Sequence, residues 1–548
     1  MACAAAAQPS TGAASKGPSP RNFAAPKPPA TVNDWSKDEF QFKFTLSNPD
    51  ASGSKASTES TVYLYIPVQT RKVRALLLLQ QNVAEQMISV HPAIRKVCDA
   101  DDIAIAWCRP AFDATFDLST ASATHTMLQA EFGRFGRQVG YPELGDAPLI
   151  TFGHSSTCAY CQNAAEARPD RVLAVLVTHG WNGVDSFRAY KGPVLLFIGH
   201  YWEQRQQIRS VGANKSLMSL AKVRRKLEAG WMPISIVEEY GSGHFDYSDR
   251  VIDVMAMFID KAVKARLGRK GKLRNIDPNS GCIVALPNSP AGPIPVKPYT
   301  SGTDREKASS VWFFDKELAE AAAKVIDGNG PWQRTCQVIG YNHPDGTPAP
   351  FGKSGLVNPA PYRIVPGTNE IRLFPVLLDA FPADFKQDGE PIGISSDPTI
   401  TIEYVCGPYL YLDKEGKYRV KINRGGTSGY IVARNLGDER MRPTVQPTYP
   451  VLGGGQEGGG SAPIFNPGDR KAGEVIAIKN VSTPSKYMGY YIDHGPARIA
   501  QDRLEILPLP ANTPGPLEVE LVAYTLGRSA GGFSSVKFDV IKQLMADR

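Results

Sequence analysis

At 548 residues the chain is too long for one ordinary hydrophobic core, which predicts two to four domains. Hydrophobic residues make up 42% of it, the share of an ordinary soluble protein, and no apolar run approaches the roughly 20 residues of a membrane-spanning helix. The net charge of +7 is spread along the chain instead of gathering in one basic run, which argues against a nucleic-acid surface.

Residues 1–34 open with MACAAAAQPSTGAASKGPSPRNFAAPKPPA, which is Ala, Pro, Ser and Gly with little to bury, and they predict a flexible tether. The ACAAAAQ start has the small-residue character of a trimmed secretory signal, and equally that of a plain disordered tail; the first reading implies a secreted or periplasmic protein. Cys3 lacks the preceding apolar residues that a lipid-bearing cysteine requires.

Residues 35–270 alternate strand and helix patterns. FQFKFTL and STVYLYIP read as a hairpin, and RALLLLQ as a strand buried on both faces. A helix is expected through HPAIRKVC, then the strand IAIAWCRP, the amphipathic helix 124–140 and the strand APLITFG. The helix TCAYCQNAAEARP, the strands RVLAVLVTHG and GPVLLFIGH, the helix NKSLMSLAKVRRKLEAG, the strand PISIVEEYG and a closing helix from Ser248 complete the unit. Such repetition predicts a doubly wound, mostly parallel α/β sheet.

Beyond Gly268 one helix-like segment remains, DKELAEAAAKVI, among short β-rich runs broken by many of the 50 glycines and 44 prolines. The pattern predicts all-β sandwich domains over 275–452 and 462–548, divided near the linker GGGQEGGGS. Residues 404–422 echo residues 491–509, each a strand, a Gly-Pro, a short strand, a polar turn and another strand.

Gly153–His154–Ser155–Ser156–Thr157 is small–x–Ser–x–small between an expected strand and helix. A serine there sits on a sharp turn with its hydroxyl above the sheet, ready to act as a nucleophile. At neutral pH it needs a base, and the base needs an orienting acid. His244, in the loop GSGHFD after a strand, suits the base; Glu203 suits the acid, with Asp185 as the alternative. The amide of Ser156 suits one oxyanion donor, and that of Gln81 or Asn82 the other. Polar QQN after a buried strand would equally cap the next helix. Phe112, Trp181, Tyr201 and Trp202 are expected to line a substrate pocket, with Trp107 and Phe245 as further aromatics near it. Cys158 and Cys161 form C-x-x-C with no second pair among the eight cysteines, and read as buried small residues.

On the order Ser155, Glu203, His244 and their strand-end positions, residues 40–265 resemble an α/β-hydrolase. QQNVAEQMISVHPAIRKV, GSGHFD and VELVAYTLGRS are similar to bacterial secreted esterase-like proteins with C-terminal Ig-like β-sandwich domains. Thr157 in place of the last glycine departs from the motif, as does Glu203, one residue from the acid's commonest place. The resemblance implies a serine esterase that needs no metal or organic cofactor. It also implies carbohydrate-linked acetyl or feruloyl esters as substrates and a cell-wall polysaccharide as partner. Two rivals stand beside it: a non-catalytic polysaccharide- or protein-binding protein on a hydrolase scaffold, and a serine hydrolase of another ester or amide class.

Overall fold

The computed structural model of the chain describes residues 40–47, 58–82, 84–112, 118–180, 187–199, 228, 232–239, 247, 249–268, 272–285, 294–308, 310–326, 336–349, 362–380, 391–394, 400–406, 410–413, 415, 417–420, 430–435, 465–478, 481–483, 486–500, 502–527 and 533–542.

The apolar runs of the first half gather into one eight-stranded sheet. Its strands are β1 (Phe42–Ser47), β2 (Glu59–Tyr65), β3 (Ala75–Gln80), β4 (Ile103–Arg109), β5 (Leu149–His154), β6 (Val172–Thr178), β7 (Val194–Gly199) and β8 (Ile234–Glu239). Their order is β1-β2-β4-β3-β5-β6-β7-β8. β2 runs antiparallel to both β1 and β4, and the neighbours from β4 through β8 are parallel. The runs ALLLLQ and VLAVLVT are buried at every position, as strands covered on both faces must be. Edge strand β1 alternates instead: Phe42, Phe44 and Leu46 point inward, and Lys43, Thr45 and Ser47 outward.

The helices of this unit are α1 (Glu85–Val90), α2 (Pro92–Ala100), α3 (Leu118–Val139), α4 (Cys158–Ala167) and α5 (Asp249–Arg266). The single helix expected through HPAIRKVC is broken at His91, which is extended at φ −62°, ψ 134° because Pro92 follows it. Its Nδ1 accepts the Ala93 amide and so caps α2. α2 packs on α5 and α3 on α4. α2 lies in the connection from β3 to β4 and α3 in the connection from β4 to β5, which run in opposite directions along the sheet, so right-handed crossovers put the two on opposite faces. Phe44 of β1 stacks on Phe135 of α3 with ring centroids 4.2 Å apart. The whole arrangement fits an α/β-hydrolase-like fold.

The direction of winding reverses at β3, which lies between β4 and β5. The C-terminal ends of β3 and β5 therefore border the switch-point crevice, where open α/β sheets place their ligands.

The buried core of this sheet does not stop at the last parallel strand. β9 (Cys282–Ala285), β10 (Val296–Pro298) and β11 (Ser310–Phe313) form an antiparallel sheet in the order β10-β9-β11. Two helices accompany it, α6 (Asp304–Ala308) and α7 (Lys316–Ile326), the second where DKELAEAAAKVI predicts one. α7 packs on α5 and β8, the Ser235 hydroxyl donates to the Trp312 carbonyl at 2.6 Å, and one buried cluster runs from Phe40 to Ile326.

Between residues 336 and 435 the described strands pair into small antiparallel sheets. Near the C-terminus lie a five-stranded sheet, whose longest strands are Lys486–His494, Leu517–Gly527 and Phe533–Ile541, and a three-stranded sheet of Val475–Ala477, Arg503–Ile506 and Ala497–Ala500. Both feed one buried cluster that includes Ile492, Leu504, Ile506, Leu521 and Phe538. The internal echo has a structural counterpart: Leu410–Leu412 pairs with Tyr418–Val420, and Ala497–Ala500 with Arg503–Ile506, each as an antiparallel hairpin after a longer strand.

The C-terminal sheets dock on the β1–β2 edge. The Gly495 amide donates to the Phe40 carbonyl at 2.8 Å and the Ala511 amide to that of Val68 at 3.0 Å. Asn512 donates its side-chain amide to the Arg71 carbonyl at 2.6 Å. Gly140, at φ +88°, lets the Asn512 carbonyl oxygen approach to 2.3 Å from where a β-carbon would sit.

Candidate active site

β5 ends at His154, and the chain turns at Ser155 into a 3₁₀ turn (Ser155–Thr157) that leads into α4. Ser155 has φ +53°. That left-handed conformation costs a non-glycine residue of order 1–3 kcal/mol and persists only where its surroundings enforce it. Two glycines make room for the turn. A β-carbon on Gly153 would lie 2.6 Å from the Thr157 carbonyl oxygen, and one on Gly180 would lie 2.5 Å from the Ser155 carbonyl oxygen. Gly153 is the small residue that the motif requires. Gly180, after β6, is a second steric requirement that the linear motif does not contain.

Thr157, the departure from glycine, is almost fully buried, and its hydroxyl donates to Glu85 Oε1 at 2.6 Å. Glu85 itself is fully buried. Oε1 also accepts the His154 amide at 3.1 Å, and Oε2 accepts the Asn82 amide at 3.0 Å. Asn82 Nδ2 in turn donates to the His154 carbonyl at 2.8 Å. The loop after β3 and the serine turn after β5 are thus bound to each other. Asn82 and Glu85 have the three-residue spacing of a capping box, a signal for a local helix start but not for a partner 72 residues away.

Beneath the turn lies a group of rings. His154, His179 and Tyr247 meet pairwise, with centroids 5.6 Å (His154–His179), 5.3 Å (His179–Tyr247) and 5.9 Å (His154–Tyr247) apart. The Tyr247 hydroxyl is hydrogen-bonded to Thr178 Oγ1, which in turn donates to the Gly153 carbonyl at 3.2 Å. Tyr247, two residues before α5, is thereby tied to the ends of β5 and β6. Cys158 donates its thiol to the carbonyls of Gly153 and Thr178. Cys158 and Cys161 are both buried and neither is in a disulfide, and burial pushes the Cys161 thiol up, as expected of packing residues.

Ser155, Ser156, Gln81 and Asn82 come together at the switch point, each half-buried. The two candidates for the second oxyanion donor are already engaged. The Gln81 amide extends the sheet by donating to the Cys108 carbonyl at 2.8 Å, and the Asn82 amide is held by Glu85. As placed, neither is free to receive an oxyanion. Phe112, expected to line the pocket, has no exposed surface and packs edge-on against Tyr160, with centroids 5.4 Å apart. Trp107 is likewise core, tilted against Tyr63 at 5.3 Å. Trp181, Asp185, Tyr201, Trp202, Glu203, His244 and Phe245 lie outside the described residues.

Metal-ligand chemistry is brought together elsewhere among the described residues: Asp493, His494 and Glu520 have donor atoms within 4.8 Å of one another. The Lys43 ammonium already serves that cluster, 2.9 Å from Asp493 and 3.3 Å from Glu520. No described helix is long and apolar enough to cross a membrane.

No protein-family model matches the chain, and no curated protein does. Among solved structures it is similar to Est1E from Butyrivibrio proteoclasticus, at 13% identity over 40% of this chain and 99% of that one, with a TM-score of 0.28. It is also similar to the siderophore hydrolase EstA from Aspergillus nidulans, at 12% identity over 40% of this chain and 93% of that one, with a TM-score of 0.29. A dienelactone hydrolase from Anabaena variabilis shares 15% identity over 43% of this chain and 100% of that one, with a TM-score of 0.27. At such scores the strand order and directions, not the overlap, carry the fold.

Proposed function

We propose that this protein is a serine hydrolase of carboxylic esters, with Ser155 as nucleophile, His244 as base and Glu203 as the orienting acid, Asp185 being the alternative. The observation that carries the reading is the Ser155 backbone: a non-glycine residue at φ +53°, on a strand-to-helix turn at the sheet's switch point. Asp102 and His179 hold the same left-handed conformation, so what gives the Ser155 backbone its meaning is its place at the switch point, where a nucleophile must stand clear of the sheet.

Chain direction supports the partners. β5, β7 and β8 are parallel, so the segments that follow them leave the same edge of the sheet. Glu203 comes four residues after the end of β7, and His244 five after the end of β8. His244 also precedes Tyr247 by three residues, which span at most about 10 Å of chain, and the Tyr247 ring lies against His154.

In this reading Ser155 Oγ attacks the ester carbonyl as His244 takes its proton. The Ser156 amide, directly after the nucleophile, faces the developing oxyanion. His244 then protonates the departing alcohol, and water releases the acyl group by the same steps in reverse. Acetyl or feruloyl esters of carbohydrate, and a secreted or periplasmic location, belong to the proposal through the sequence resemblance.

A fluorophosphonate probe tests it. The wild-type chain should label once, at Ser155, and the Ser155→Ala variant should not label. Absence of labelling in both would favour a binding protein on a hydrolase scaffold.

A further inference from the structure

Thr157 is the residue that breaks the expected serine motif, and its hydroxyl ends on a carboxylate with no exposed surface. Glu85 gathers three donors there: the Thr157 hydroxyl and the His154 amide on Oε1, and the Asn82 amide on Oε2. An acceptor-only group is what three converging donors require. His154 and Thr157 bracket Ser155 and Ser156 in the chain, so the carboxylate holds both ends of the nucleophile's turn. Asn82 lies in the loop after β3, on the other side of the switch point.

We infer that Glu85 is a positioning residue for the nucleophile: a buried strut that locks the Ser155–Ser156 turn to the loop after β3, with the Thr157 hydroxyl as its contact. The inference rests on the serine-esterase reading and deepens it. Glu85 acts through His154, Thr157 and Asn82, not on substrate.

Three observations carry it. First, Glu85 is the first residue of α1, whose N-cap Ala84 has no side-chain cap, and the two bonds on Oε1 reach residues 69 and 72 positions away and do nothing for that helix. Second, Ser155 sits at φ +53°, a conformation that its surroundings must enforce, and Glu85 bonds the residues on either side of the Ser155–Ser156 pair. Third, the buried Thr157 hydroxyl accepts the His154 amide at 2.9 Å and lies 2.9 Å from the His154 carbonyl within its own turn, and Glu85 is the partner it reaches beyond that turn. The glycine of the usual motif is thus replaced by a side chain with a bonding function. Displacement of a reacting group by about 1 Å costs of order 100-fold in rate, so a strut at this point acts on turnover rather than on binding.

The test uses the full chain and p-nitrophenyl acetate, with kcat expressed per Ser155 site labelled by fluorophosphonate. Thr157→Val removes the hydroxyl and keeps the shape; Thr157→Ser keeps the hydroxyl. Glu85→Gln keeps the shape but sets an NH2 group against one of the donors. Thr157→Val and Glu85→Gln should each lose about tenfold or more in kcat, with KM within about threefold, and Thr157→Ser should stay within about threefold of wild type. Wild-type kcat per labelled site in Thr157→Val would overturn the inference. So would fewer labelled sites with kcat per site unchanged, since that marks a folding role alone. A wild type that neither labels at Ser155 nor hydrolyses ester sinks the esterase reading instead. Hydrogen exchange then judges the strut: faster exchange of segments 79–90 and 149–160 together in Thr157→Val sustains it, and unchanged exchange rejects it.

Discussion

The carbonyl oxygen of Ser155 lies 2.5 Å from the position that a β-carbon on Gly180 would occupy, and the Ser155 α-carbon lies 3.0 Å from it. Both neighbours are backbone of the strained turn, so they cannot yield as a flexible side chain would. Gly180→Ala should therefore displace the serine itself. A stability loss of about 1–3 kcal/mol is expected, with an activity loss beyond what the unfolded fraction explains. Unfolding and kcat measured on the same preparation check this; an alanine variant with wild-type turnover would show that the turn tolerates the shift.

Ser155→Ala and Ser155→Gly both remove the hydroxyl, but only glycine relieves the left-handed strain at φ +53°. Relief of order 1–3 kcal/mol exceeds the 0.4–1 kcal/mol, roughly, by which glycine's freedom favours the unfolded chain. The glycine variant should melt above the alanine variant. Calorimetry on the two inactive proteins decides it, and the opposite order would mean that the turn is not strained.

Lys43 on β1 joins the sheet to the C-terminal strands through Asp493 and Glu520, while Tyr63 donates to Asp493 at 3.3 Å. Burial alone would lower the Lys43 pKa, but the Asp493 hydrogen bond and the charges of Asp493 and Glu520, with Tyr63, hold it above its ordinary value. Lys43→Met leaves two largely buried carboxylates without their cation. A loss of about 1–3 kcal/mol is expected, smaller than for a fully buried pair because Lys43 is partly exposed. In a double-mutant cycle with Asp493→Asn the two losses should be less than additive. Full additivity would mean that the pair does not couple the two parts.

His125 of α3 is buried in a small cavity against Leu76, Leu128, Phe132 and Arg171, and neither ring nitrogen has a hydrogen-bond partner among the described residues. Burial first, then the charges of Arg171 and Arg168, lower its pKa from 6.5 to about 4, against the opposing charge of Asp170. As pH falls below about 6.5 the unfolded chain takes up this proton, and the folded chain does not until about 4. The contribution of neutral His125 is thus present above pH 6.5 and drains away toward pH 4. His125→Leu should remove that component. Urea midpoints at pH 7.5 and pH 5 should differ less in the variant than in wild type, and equal differences would exclude His125 as the source.

Local pattern encodes much of this protein. Uninterrupted apolar runs such as ALLLLQ and VLAVLVT mark strands covered on both faces, because only a residue with no solvent side can be apolar at every step. The alternation of Phe42, Phe44 and Leu46 with polar neighbours marks an edge. Small residues around Ser155 mark a tight turn, since close backbone approach depends on the absence of side-chain atoms in adjacent positions. What pattern does not encode is which distant segment arrives beside which. Glu85 reads as the start of a helix in QQNVAEQ, and only the placement of β3 next to β5 brings it to Thr157. The amides of Gln81 and Asn82 look available in the chain and are occupied in the fold. Phe112 looks like a pocket wall and is core. Each of these outcomes depends on partners tens of residues away, and such contacts are chosen by strand order and packing, which no local run of residues specifies.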